Sequence, residues 1–156
     1  MNSTRIGRRA AVSVAAAIAV TAIAGFAIAQ DRALELTMVR QADLHFVAMP
    51  NGTYQARVVG DVDKPGPYAA RTRLPAGLRI PPHFHPEERI VLVMSGTLLV
   101  GYGGKFDETK MTALPPGSVF TEPRKQPHFT WAKDGEVILH VTGTGPSATT
   151  WLDRDK

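Results

Sequence analysis

Residues 77–96 read GLRIPPHFHPEERIVLVMSG, and the reading of this stretch decides the fold. It sets His83 and His85 two positions apart, follows them with the charged triplet Glu87, Glu88 and Arg89, and then runs apolar from Ile90 to a closing Gly96. In an extended strand residues i and i+2 point to the same face, so both imidazoles come within reach of one ion. A third histidine, His128, lies over forty residues later at the start of another apolar run, where closure of a barrel would set it opposite the pair. Neutral imidazole is the commonest metal ligand, and three of them leave open coordination positions.

Outward from this stretch, short β-prone runs alternate with Gly and Pro signals from about residue 31 onward, with no long helical period between them. The runs are 46–49, 54–59, 68–74, 89–102, 118–121, 129–133 and 137–142, and turn signals stand at 63–67, 103–104, 115–117 and 134–135. Many short strands at close spacing predict an all-β sandwich or barrel. Leu34 and Met38 would share one face of a short helix within 31–44.

Two motifs in register resemble the cupin superfamily. In the first, Gly77 is followed after five residues by His83-x-His85, and Gly96 closes the pattern; in the second, Gly117, Pro123 and His128 fall in place without a gap. The resemblance covers roughly residues 67–142 and implies a single cupin barrel, a double-stranded β-helix or jelly roll, with His83, His85 and His128 as metal ligands. Three positions depart from the pattern. Lys125 replaces the second motif's glycine, Ala132 its asparagine, and Arg89 stands where the family usually has its metal-binding glutamate.

A guanidinium cannot ligate and would repel the ion. Three arrangements reconcile it with a metal: three histidines plus water, Arg89 held off by an ion pair with Glu87, or a bulge that swings Glu87 or Glu88 inward. The three-histidine site is the favoured reading, with Glu88 or Glu87 as fourth ligand. His140, in an apolar run, reads as a hydrogen-bonded core or rim residue, and His45 has no paired ligand near it. Phe84, Tyr102, Phe129 and Trp131 are candidates to line a pocket, with Tyr54 and Tyr68 as polar donors.

Composition narrows the chemistry further. There is no cysteine, so disulfides and thiolate sites are excluded and a transition metal must rest on nitrogen and oxygen ligands. The net charge of +4 is concentrated at the start of the chain: without Arg5, Arg8 and Arg9 the 18 basic residues become 15, against 14 acidic ones. A nearly neutral domain gives no support to nucleic-acid binding. Those three arginines precede an uncharged, Ala-rich run from 10 to 29 that ends in Ala27-Ile28-Ala29, the layout of a signal peptide cleaved after residue 29. An uncleaved anchor is the alternative, since about twenty uncharged residues can span a bilayer. Arg8-Arg9 also resembles a twin-arginine export signal. The expected organisation is therefore a leader at 1–29 and a barrel domain at 30–156, periplasmic or secreted, without stable membrane insertion after cleavage.

The leading functional expectation is a metal-dependent enzyme acting on a small organic molecule. One divalent ion (Fe, Mn, Ni, Cu or Zn) would be held by the histidines, and Arg89, as the catalytic candidate, would hold an anionic substrate group. The resemblance implies dioxygenases, isomerases and decarboxylases among such proteins, and a homodimer paired through outer sheets. Two other readings stand beside it: a non-catalytic module that captures a metal or small ligand, and a metal-free epimerase type using a histidine and a tyrosine as base and acid.

Overall fold

β-Branched and aromatic residues favour a pleated, half-buried surface, and Gly and Pro punctuate it into short pieces. The computed structural model, which describes residues 34–152, follows that pattern. Its strands are β1 (Val47–Ala48), β2 (Tyr54–Val59), β3 (Gly66–Leu74), β4 (Arg79–Phe84), β5 (Arg89–Ser95), β6 (Leu98–Tyr102), β7 (Thr112–Leu114), β8 (Val119–Glu122), β9 (His128–Trp131), β10 (Val137–Gly145) and β11 (Thr150–Trp151). Two 3-10 turns, Gln41–Asp43 and Glu108–Lys110, complete the regular structure of the described residues. The expected leader at 1–29 lies outside them.

All strand pairs are antiparallel, and they form two sheets ordered β1-β2-β3-β10-β5-β8 and β11-β4-β9-β6-β7. This is the jelly-roll barrel expected from the sequence. Alternation along each strand sends one set of side chains between the sheets. Val91, Val93, Leu98, Val100, Phe120, Val137, Leu139 and Leu74 meet there as the apolar core.

Register then separates a polar end from that core. Across the six-stranded sheet Tyr68 pairs with Gly143, Gly143 with Arg89, and Arg89 with Glu122. Across the five-stranded sheet Trp151 pairs with His83, His83 with His128, and His128 with Tyr102. Each row crosses four strands. One residue pair further along β5 the partners are already apolar, with Val91 beside Phe120 and Val141.

The sequence expectations are corrected in three places. The apolar run 89–102 is two strands in different sheets, because Gly96 turns the chain with φ +73. A Cβ there would also lie 2.2 Å from the Glu136 carbonyl oxygen. Strand β4 went unpredicted because it contains Pro81 and Pro82, which have no N–H to give a ladder; its pairing with β9 shifts register between Ile80 and His83. No helix forms between 34 and 44 beyond the 3-10 turn, and Leu34 and Met38 are exposed rather than packed.

The outer face of β9 is covered as tightly as its inner face. Phe129 is fully buried, packs on Phe106 with ring centroids 5.0 Å apart, and lies against Gly101, its partner in β6. A Cβ on Gly101 would come 2.4 Å from the Phe129 ring. Gly101→Ala is therefore expected to destabilise the fold by about 1–3 kcal/mol through overpacking, read as a lower denaturation midpoint in urea.

Candidate metal centre

His83 comes from the end of β4, His85 from the residue just past it, and His128 from the first position of β9, directly opposite His83. All three are buried, and one ligand nitrogen from each lies within 4.8 Å of the others. The rings sit with centroids 4.3 Å apart for His83 and His128, 5.0 Å for His83 and His85, and 5.3 Å for His85 and His128.

Each ring is oriented by the backbone. His83 Nδ1 lies 2.8 Å from the Pro81 carbonyl, His85 Nδ1 2.8 Å from that of Ala148, and His128 Nδ1 3.1 Å from that of Gln126. A carbonyl only accepts, so these contacts assign the proton to Nδ1 and leave the Nε2 lone pair as the ligand. Burial, together with the neighbouring histidines and Arg89, lowers the pKa of His83 to about 3 and of His85 to about 4. Both are thus neutral at ordinary pH and need lose no proton to bind a metal.

The carboxylate that faces them is Glu122, from the end of β8. Its Oε1 lies 3.4 Å from His128 Nε2 and its Oε2 3.5 Å from His85 Nε2. Burial works to raise its pKa, and the Arg89 guanidinium 3.5 Å away works to lower it. His128 Nε2 and Glu122 Oε2 are buried and have no hydrogen-bond partner. Three imidazole nitrogens and a carboxylate are the donor set of a divalent ion with nitrogen and oxygen ligands, and the cation that now reaches them is Arg89, whose Nη1 lies 2.9 Å from His85 Nε2 and 3.5 Å from Glu122 Oε2.

Arg89 does point into the barrel, as strand parity from His85 predicts. Its Nε donates to Glu87 Oε1 at 2.7 Å, another nitrogen donates to Ser147 Oγ, and Nη1 donates to His85 Nε2 at 2.9 Å. Glu87 is buried, accepts a hydrogen bond from the Tyr68 hydroxyl at 2.9 Å, and has its pKa lowered, burial being outweighed by Ser147 and Arg89. The ion pair between Arg89 and Glu87 expected from the sequence is formed, but it does not hold the guanidinium away from the histidines, because Nη1 still reaches the His85 Nε2 lone pair.

Glu88, expected as a ligand, is exposed, because alternation turns it away from the side that Glu87 and Arg89 share. Among the aromatic candidates, Tyr68 lines the cavity while Phe129 and Trp131 pack with Phe106 on the outer face of β9. Tyr54 instead lies beneath Arg73. His140 contacts Arg71, and His45 is exposed ahead of β1. Glu122 was missed, although the alternation Val119, Phe120, Thr121, Glu122 puts it on the same side as the core residue Phe120. The predicted run stopped one residue short of it.

Beside the histidines is a cavity of about 370 Å³ whose walls include Tyr68, Ile80, Arg89, Leu139, Val141 and Trp151. Trp151 lies against His83 with ring centroids 5.0 Å apart. The volume and the mixture of apolar walls with a few polar groups suit a small organic molecule.

Comparison with known proteins agrees with this architecture. The family model described as "Cupin domain" matches residues 70–143. Among solved structures, the chain resembles an RmlC-like cupin from Shewanella frigidimarina (TM-score 0.58, 14% identity, covering 78% of this chain and 96% of that one). It also resembles a polyketide cyclase from Streptomyces resistomycificus (TM-score 0.62, 19% identity, 78% and 89% covered). A third similar structure is oxalate oxidase in complex with the substrate analogue glycolate (TM-score 0.54, 23% identity, 74% and 62% covered). No curated protein matches the chain by sequence.

The loop between Glu122 and His128 carries one further departure with a physical consequence. Lys125 adopts φ +58, and its N–H donates to the His85 carbonyl at 2.8 Å, tying the two ligand segments together. A side chain in this left-handed region costs about 1–2 kcal/mol, whereas glycine enters it freely but gives up about 0.4–1 kcal/mol through the unfolded chain. Lys125→Gly is therefore expected to stabilise the protein by up to about 1 kcal/mol in urea denaturation, with metal content unchanged.

Proposed function

Residues 70–143 are a cupin domain, and from that premise we propose that the protein is an exported, metal-dependent enzyme acting on a small organic molecule with an anionic group. The observation that carries this reading is the convergence of three buried imidazoles, each with Nδ1 tied to a backbone carbonyl and Nε2 left as ligand atom. When bound, a divalent iron, manganese, nickel, copper or zinc ion supplies Lewis acidity and a means to activate water, or dioxygen in the case of iron.

The protein's own side chains would supply binding and orientation. Arg89, fixed by Glu87 and Ser147 at the cavity wall, presents a guanidinium to a carboxylate or similar group. Ile80, Leu139, Val141 and Trp151 wall the cavity with apolar surface that limits water around the reacting centre. Dioxygenase, isomerase and decarboxylase chemistry are all compatible with such a site. The metal-free epimerase reading has less support: the Tyr68 hydroxyl is engaged by Glu87, and burial pushes its pKa up to about 12, away from the range useful to an acid or base at neutral pH.

Elemental mass spectrometry of protein purified after expression of the full chain should find close to one divalent ion per molecule, and none in the joint His83→Ala, His128→Ala variant. A wild type that stays metal-free even after reconstitution would sink the reading. Metal at a free concentration of one hundred times its Kd should stabilise the fold by about 2.7 kcal/mol, seen as a Tm that falls on chelation. Arg89→Leu should keep the metal and bind small carboxylates about 10–100-fold more weakly, the range of one charge-assisted hydrogen bond; unchanged binding would remove its assigned role. Recovery of the chain from the periplasmic fraction with Gln30 at its N-terminus would support export and cleavage, whereas retention of Met1 in the membrane fraction would favour the anchor.

A further inference from the structure

Among the buried side chains at the polar end of the barrel, the charges do not balance. Glu87 and Glu122 are both buried carboxylates, and the one guanidinium beside them is that of Arg89. Arg89 spends its closest contacts on Glu87, Ser147 and His85 and stands 3.5 Å from Glu122. One negative charge is left at an interior position, on a side chain only 8% exposed. A carboxylate there that shares its one cation with Glu87 is only partly compensated, and burial removes its hydration.

The distances around Glu122 say what would compensate it. Nδ1 of His85 and of His128 is turned to a backbone carbonyl, so both Nε2 atoms face the carboxylate oxygens, at 3.5 and 3.4 Å. These separations exceed the 2.7–3.2 Å of ordinary hydrogen bonds. They agree instead with the roughly 3.4 Å between two ligands held at about 2.0–2.2 Å on a tetrahedral ion. Glu122 Oε2 and His128 Nε2, moreover, are among the buried atoms of this site that lack hydrogen-bond partners, with Glu87 Oε2 on the far side of Arg89 the third.

We propose that Glu122 is the fourth protein ligand of the metal, so that the site consists of three imidazoles and one carboxylate delivered by the ends of β4, β8 and β9. This deepens the metal-dependent reading above and rests on it. The carboxylate is supplied not by the strand after the His-x-His pair but by the neighbouring strand, at the position paired in register with Arg89. The ion would take over the His85 lone pair to which Arg89 Nη1 donates, leaving the guanidinium its bonds to Glu87 and Ser147.

Co²⁺ titration of the metal-stripped protein, followed by its visible absorption and by chelator competition, tests the assignment. Glu122→Gln, nearly isosteric, should bind Co²⁺ more than about 100-fold more weakly and with an altered band, beyond the about 10–100-fold that loss of an outer-shell partner costs. Glu122→Asp, which keeps the charge, should recover part of the affinity. A Glu122→Gln affinity within 100-fold of wild type, with an unchanged band, would overturn the proposal. Wild type that takes up no Co²⁺ at all would overturn the three-histidine reading itself, which separates the two failures. Should Glu122→Gln not fold, a crystal structure of the wild type with Zn²⁺ decides: a Glu122 oxygen at about 2.0–2.2 Å from zinc supports the ligand role, and a carboxylate beyond 3 Å with water in its place refutes it.

Discussion

Buried acceptors need donors or cations, and the polar end of this barrel is arranged around that requirement. Each histidine gives its Nδ1 proton to a carbonyl from a different segment: Pro81 within β4, Ala148 ahead of β11, and Gln126 in the loop that leads to β9. These bonds fix ring orientation, and the one from His85 to Ala148 also ties the segment before β11 to the site. The Lys125 N–H on the His85 carbonyl and the Gly103 N–H on the Pro127 carbonyl continue the same network. His128 Nε2 and Glu122 Oε2 are left without a hydrogen bond, and Arg89 is the one cation shared among the histidines and both buried carboxylates.

Such an end cannot be the main source of stability. Charged and polar groups recover in mutual contacts little more than burial takes from them. The favourable term comes from the other part of the interior, where Leu74, Val91, Val93, Leu98 and Val137 are almost wholly buried, each worth about 1.5–3 kcal/mol of transfer free energy. Strands β5 and β8 carry both functions. Val91 and Phe120 pack the core, and two residues along each strand, still on the inward side, Arg89 and Glu122 belong to the site. The period of two makes that possible: a strand anchored by its apolar residues delivers the next inward side chain at a fixed position.

Arg89 shows how a locally unfavourable residue is accommodated. Beside a metal its charge would be repelled, yet the guanidinium is drawn toward Glu87, itself braced by Tyr68, and toward Ser147 from the segment before β11. Gly143 makes room for this bracing, since a Cβ there would lie 2.7 Å from the Tyr68 hydroxyl. The result is a fixed cation on the wall of a cavity that His83 and His85 also line.

Much of the fold and part of the site were legible in local sequence. Alternating runs and turn residues give the all-β class, the spacing His83-x-His85 places two imidazoles on one face, and the two motifs in register carry the resemblance that adds His128. These are short-range features, and a strand's period or a turn's φ depends on a few neighbouring residues. Strand β4 escaped because its prolines hide the ladder, and Gly96 broke an apolar run that read as continuous. Glu122 and the role of Glu87 were decided only by tertiary structure. Whether an inward carboxylate faces histidines or solvent depends on which distant strands pair, and in which register; the row Tyr68, Gly143, Arg89, Glu122 spans four strands and the stretch of chain from residue 68 to residue 143, a proximity that no local spacing encodes.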